Sequence, residues 1–123
     1  MKRIAAILTL SSFGMLGHSV NAADNGTIQL RSKTKIDRIQ ANYDCGAAGS
    51  LKVTYVNADP NFLAFVPVAE QAQPLLFASV LSGSGTRYAS GKYVWWTKGN
   101  SASLYDTTTG DNAPPIMTCN ATN

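Results

Sequence analysis

Between positions 39 and 45 apolar and polar residues alternate: Ile39, Ala41, Tyr43 and Cys45 share one face, Gln40, Asn42 and Asp44 the other. A period of two is that of a strand with one buried face. Residues 51–55 repeat the alternation after Cys45-Gly46-Ala47-Ala48-Gly49, a small-residue turn that makes the two segments a hairpin. Asp59-Pro60-Asn61 then breaks the chain, and short strands are predicted over 62–68, 75–81, 86–90, 93–98, 101–106 and 116–119. No stretch after residue 22 has a helical period. Residues 107–115, polar and carrying paired prolines, read as a long surface loop. Short strands at this spacing, jointed by Gly, Asn and Ser, predict an all-β antiparallel barrel or sandwich of about eight strands.

The amino terminus follows a different pattern. Met1-Lys2-Arg3 is basic, 4–16 is mostly apolar, and Val20-Asn21-Ala22 offers small residues at a cleavage position, so residues 1–22 read as a secretory signal peptide. The apolar run is shorter than a helix needs to cross a bilayer core of about 30 Å. The first cysteine, Cys45, lies well inside the mature chain, so no lipid anchor is expected at the cleavage site. These features predict a soluble protein of the periplasm without a membrane anchor. Residues 23–40 form an arm or a first strand, and 41–123 form one barrel domain, a size suited to a single core.

Export changes the chemistry available. Lys2, Arg3 and His18 leave with the leader. Eight Lys and Arg then face seven Asp and Glu, too even a balance for a nucleic-acid binder. Without an imidazole there is neither a Ser-His-Asp triad nor a histidine-bearing zinc site, and no metal or cofactor is expected. Cys45 and Cys119 are the only cysteines and most simply pair in an oxidising compartment, which also removes thiolate catalysis. The carboxylates sit mainly in turns and on polar faces. The composition describes a protein that binds and does not catalyse.

Two stretches bear on what is bound. In Ser82-Gly83-Ser84-Gly85-Thr86-Arg87-Tyr88, glycines flank a serine and permit a protruding tip. In Tyr93-Val94-Trp95-Trp96-Thr97-Lys98-Gly99-Asn100, a bulky strand ends in a lysine directly before a pair suited to a tight hairpin. Each has an ordinary explanation: Gly and Ser alternate in many hairpin loops, and a Trp pair at a strand end often supplies one core ring and one exposed ring.

Taken together, Ser84-Gly85-Thr86-Arg87-Tyr88 and Trp95-Trp96-Thr97-Lys98-Gly99, preceded by Tyr43-Asp44-Cys45 and closed by Cys119, resemble the MliC/PliC family, the membrane-bound and periplasmic inhibitors of c-type lysozyme in Gram-negative bacteria. The resemblance covers about residues 43–119 and implies a flat eight-stranded antiparallel β-barrel that caps the lysozyme cleft. It also implies that Ser84 and Lys98 reach the enzyme's two catalytic carboxylates. Ser82 offers a competing register, but only Ser84 has a tyrosine four positions later. By the same resemblance, Gly85, Thr86, Arg87 and Tyr88 belong to the lysozyme-binding stretch, with Thr86 and Arg87 at its rim and Tyr88 positioning the loop, while Trp95, Trp96 and Gly99 support Lys98. The alternatives are a small-ligand-binding barrel and a structural protein of the envelope. A homodimer would need an exposed edge strand.

Overall fold

A computed structural model describes Gly14, Gly17 and residues 26–122. The expected signal peptide lies, but for those two glycines, outside the described residues.

Alternation becomes eight strands: β1 (Asp37–Asp44), β2 (Ser50–Ala58), β3 (Asn61–Val66), β4 (Leu75–Val80), β5 (Thr86–Ser90), β6 (Tyr93–Lys98), β7 (Ser101–Asp106) and β8 (Met117–Thr122). Each pairs antiparallel with the next, and β8 returns to β1, so the sheet closes into a barrel in chain order. Closure gives every strand two neighbours over at least part of its length, so no strand of the sheet is unpaired along a whole side. Residues 26–36 form no strand. They are fastened at the β2–β3 turn, where the Asp59 carbonyl accepts the Lys33 N–H at 2.8 Å and the Ser32 hydroxyl at 3.2 Å.

The strand ends differ from the alternation in two informative places. Ile39 was expected inside with Tyr43 and Cys45, but it is 50% exposed. The first half of β1 pairs with β2 alone, because β8 reaches only Asn42 to Asp44, so among the described residues no strand pairs with Ile39 on that side. At the other end, β8 runs past Cys119 to Thr122, beyond the last apolar position expected to be in a strand. Main-chain bonding extends it: Asn120 lies opposite Asp44 and Ser101, and the Ala121 N–H donates to the Asn100 carbonyl at 2.7 Å.

The seam between β1 and β8 has three residue pairs, against eight between β1 and β2. The Cys45–Cys119 disulfide sits on this short seam, with the Cα atoms 4.0 Å apart across 74 positions of sequence. The expected covalent closure of the barrel therefore falls on one of its two three-pair ladders, the other lying between β4 and β5.

The barrel interior is filled by side chains. Trp95, Phe77, Leu104, Val53 and Val66 are fully buried, and burial of each such side chain contributes about 1.5–3 kcal/mol. Trp95 brings a polar N–H into this core, which needs a partner there. Its Nε1–H donates to the Tyr55 hydroxyl at 2.9 Å, and that hydroxyl lies 2.7 Å from the Tyr43 hydroxyl. The Tyr43 and Trp95 rings meet edge to face at 5.4 Å. Burial pushes the Tyr55 phenol far above its ordinary value, keeping it a neutral hydrogen-bonding group. A filled, cross-bonded aromatic interior removes the lumen that a small-ligand barrel would need.

The loop expected over 107–115 contains one 3-10 turn, Thr107–Thr109. Asp106 caps it: its carboxylate accepts the Thr108 N–H at 2.9 Å and the Thr108 hydroxyl. Those bonds, followed by Lys92 at 3.0 Å, hold the Asp106 carboxyl down at about 2.

Candidate functional site

In an antiparallel barrel wound in chain order, alternate connections emerge at the same end. The loop after β4, residues 81–85, and the Gly99-Asn100 turn after β6 therefore lie on one rim, and the singled-out stretches are neighbours through the register Thr86↔Thr97, Arg87↔Trp96 and Tyr88↔Trp95. Side-chain alternation then sorts them. Tyr88 and Trp95 point inward, while Arg87, Trp96 and Lys98 point outward.

Ser84 is exposed on the loop, and no hydrogen bond among the described residues engages its hydroxyl. Its carbonyl is held from two directions, by the Ser82 hydroxyl at 2.6 Å and by the Trp96 indole N–H at 2.9 Å. The serine that offered a competing register thus braces Ser84 from within the loop. Gly85 follows in the left-handed region, at φ +61°. Its backbone presses so closely on β6 that a Cβ there would overlap the Thr97 carbonyl oxygen and lie 2.8 Å from Lys98 Cγ. Thr97 also donates its hydroxyl to the Thr86 carbonyl at 3.3 Å. The serine loop and the stem of Lys98 are in direct contact.

Lys98 is exposed, with its Nζ 3.8 Å from the centre of the Trp96 ring. The Arg87 guanidinium carbon lies 4.9 Å from the same centre. A cation over an indole face is attracted by the ring quadrupole, by about 0.5–1 kcal/mol at an exposed position. Trp96 stands under Lys98, whereas Trp95 is wholly in the core and reaches the rim only through its strand. Gly99, at φ +55°, makes the turn immediately after the lysine. Tyr88 is 7% exposed, its ring tilted against Tyr55 at 5.7 Å. Its place is beneath the loop, among the residues that hold it up. Burial, followed by the nearby Tyr43, raises its phenol above the ordinary value. Thr86 is exposed beside Gly85, and Arg87 is half-buried.

The two stretches singled out in the sequence are neighbours on the barrel, but the connections between them were not legible there. The bond from Trp96 to the Ser84 carbonyl, the close approach of Gly85 to Thr97 and the stacking of Arg87 on Trp96 need cross-strand register, which one strand's pattern does not contain. The signal available was the glycine after Ser84, since a residue with no Cβ often marks a close backbone approach. Gly85→Ala should therefore lift the loop off β6. The left-handed backbone alone costs about 1–2 kcal/mol with a Cβ, and the overlap adds to it. Thermal unfolding is expected to show a drop of several degrees, with the Trp96 indole proton resonance displaced; an unchanged midpoint and spectrum would contradict the packing described.

Among the described residues, no group of three His, Cys, Asp or Glu is placed to hold a metal ion. The fold and the rim define a class of protein, a disulfide-closed eight-stranded barrel with an exposed serine loop and an exposed lysine side by side at one end.

Comparison with known proteins gives this class its family. Residues 43–113 match the family described as membrane-bound lysozyme-inhibitor of c-type lysozyme. A membrane-bound lysozyme inhibitor of c-type lysozyme from Pseudomonas aeruginosa is 37% identical over 92 residues, covering 75% of this chain and 72% of the relative. One from Cupriavidus necator is 39% identical over 75 residues, covering 61% of this chain and 58% of the relative. Among solved structures, Pseudomonas aeruginosa MliC in complex with hen egg white lysozyme superposes with a TM-score of 0.65 at 36% identity, covering 82% of this chain and 99% of that one. The chain belongs to the family of membrane-bound inhibitors of c-type lysozyme. This is a family of inhibitors, not of enzymes, in agreement with the reading of the composition.

The family corrects one expectation. A soluble, unanchored periplasmic protein was expected, but the family and both curated relatives are described as membrane-bound, which points to a membrane-anchored form. The expectation rested on two missing features, a cysteine at the leader's cleavage position and a second long apolar stretch. Features missing from a sequence do not define a location. Among the described residues no helix is long and apolar enough to cross a membrane.

Proposed function

We propose that this protein inhibits c-type lysozyme by inserting the Ser84 loop and Lys98 into the enzyme's substrate cleft, where they block its two catalytic carboxylates. The observation that carries the reading is the contact between the two elements: Gly85 packs on the stem of Lys98, so the serine and the ammonium are presented side by side on one rim. The relative solved in complex with hen egg white lysozyme supports the choice of partner.

The chemistry is complementary. Lysozyme works with one carboxyl protonated, as general acid, and the other ionised. An ammonium brought into that groove pairs with the ionised group, and a serine hydroxyl donates to a carboxylate or accepts from the protonated acid. Both members of the dyad are then engaged and the sugar-binding cleft is filled. Thr86 and Arg87 flank the entering loop, Tyr88 and Trp96 hold it from below, and Trp95 fixes the strand that carries Lys98. The nearly even charge of the mature chain gives little long-range steering, so affinity comes from local fit.

The test is lysis of bacterial walls by a c-type lysozyme with and without the purified protein, beside a g-type enzyme as control. Suppression of the c-type enzyme alone is expected. Undiminished lysis by the c-type enzyme at saturating protein would refute the reading.

A further inference from the structure

The residue with the most connections at this rim is neither the serine nor the lysine. Trp96 touches both: its Nε1–H donates to the Ser84 carbonyl at 2.9 Å, and its ring lies under Lys98 Nζ at 3.8 Å. It is also the ring on which the Arg87 guanidinium stacks, at 4.9 Å from its centre. Arg87 Nε is buried and has no hydrogen-bond partner, and the guanidinium it belongs to stacks on the indole. The Tyr105 ring also lies against the indole, tilted, with centres 6.3 Å apart. One side chain therefore sets the position of a loop carbonyl and of two cations.

From this geometry we infer that Trp96 is a positioning residue that joins the Ser84 loop and Lys98 into one energetically coupled docking element, with Arg87 as its second cation. The inference rests on the inhibitory reading given above. Beside the indole bond, the loop meets the barrel through the close approach of Gly85 to Thr97 and the Lys98 stem. Ser84 is exposed, and its carbonyl is otherwise braced only by Ser82, which belongs to the same loop. Lys98 is a long flexible chain at a strand end, and freezing such a chain costs conformational entropy when it binds. An indole that fixes the loop and gives the ammonium a resting place lowers the ordering cost of both contacts. When the loop shifts, the indole shifts with it, and the platform under Lys98 moves. Residues that share a partner in this way show non-additive effects when each is removed.

The coupling is testable by a double-mutant cycle in two backgrounds, with inhibition constants measured against a c-type lysozyme. In the wild-type background, Ser84→Ala and Lys98→Ala together should lose less affinity than the product of their separate losses. Trp96→Phe keeps an aromatic face under Lys98 and removes the N–H. It should weaken inhibition about fivefold, the worth of one hydrogen bond, with a thermal midpoint close to wild type. In the Trp96→Phe background the same two losses should multiply independently. Trp96→Leu, which removes the aromatic face as well, should weaken inhibition further than Trp96→Phe. Independent losses already in the wild-type background, or the same non-additivity in both backgrounds, would overturn the inference and leave the docking reading standing. If neither Ser84→Ala nor Lys98→Ala alters inhibition, the docking reading falls and this inference with it.

Discussion

Lys98→Ala is expected to weaken binding to c-type lysozyme by about 2–5 kcal/mol while leaving the fold intact. At 1.4 kcal/mol for each factor of ten, that is a loss of tens to thousands of fold in inhibition. Two features of the site make the loss large. The ammonium is to be buried against an ionised carboxylate in a groove from which the inhibitor excludes water, where an unpaired charge is costly. And Gly85 packs on the Lys98 stem, so truncating the lysine also removes a contact of the serine loop. In the free protein Lys98 is exposed, with its ammonium over the Trp96 ring and its stem against Gly85, so the thermal midpoint should move little. Inhibition and melting curves of one preparation check both halves of the expectation. A variant that inhibits like wild type would remove Lys98 from the mechanism.

The second large effect is on stability. Replacing Cys45 and Cys119 by serine should destabilise the barrel by about 4 kcal/mol, the chain-entropy value for a loop of this length. Small domains are stable by only about 5–15 kcal/mol in total, so the loss is a large fraction. The location of the bridge compounds it, since the seam it spans has three residue pairs. Both cysteines are buried in the main core cluster, Cys119 completely, and two serines there would need partners that the surroundings do not provide. Urea unfolding of the double variant should show a much lower midpoint. Where it remains folded, its inhibition should be close to wild type, because the bridge is not part of the docking rim. An unchanged urea midpoint would contradict this account of barrel closure.

Much of the barrel was legible because its strands alternate. Tyr93–Lys98, Ser101–Asp106 and Thr86–Ser90 begin and end where the pattern places them, because both ends are marked by turn residues such as Gly99-Asn100 and Gly91-Lys92. The pattern failed where burial depends on a neighbour distant in sequence. Ile39 has the right parity for the core and is half exposed because β8 does not extend that far, and Asn120 to Thr122 join a strand by main-chain pairing with no apolar signal. The candidate site was legible as residue types and spacing. Its internal order was less so: Ser82, a competing register for Ser84, is the residue whose hydroxyl donates to the Ser84 carbonyl, whereas Tyr88, expected to position the loop, is buried against Tyr55. Trp96 could be separated from Trp95 only once the register was known, because two adjacent tryptophans on a strand must face opposite ways and the sequence alone does not say which faces out.

The claim at the centre of this account is that the rim carrying Ser84 and Lys98 occupies the substrate cleft of the enzyme. It is tested most directly by competition: c-type lysozyme is saturated with a short N-acetylglucosamine oligomer that fills the cleft, and binding of this protein is measured by calorimetry across a range of oligomer concentrations. Mutually exclusive binding is predicted, with the apparent affinity falling in proportion to the oligomer bound. An affinity unchanged by saturating oligomer, with all three molecules in one complex, would contradict it.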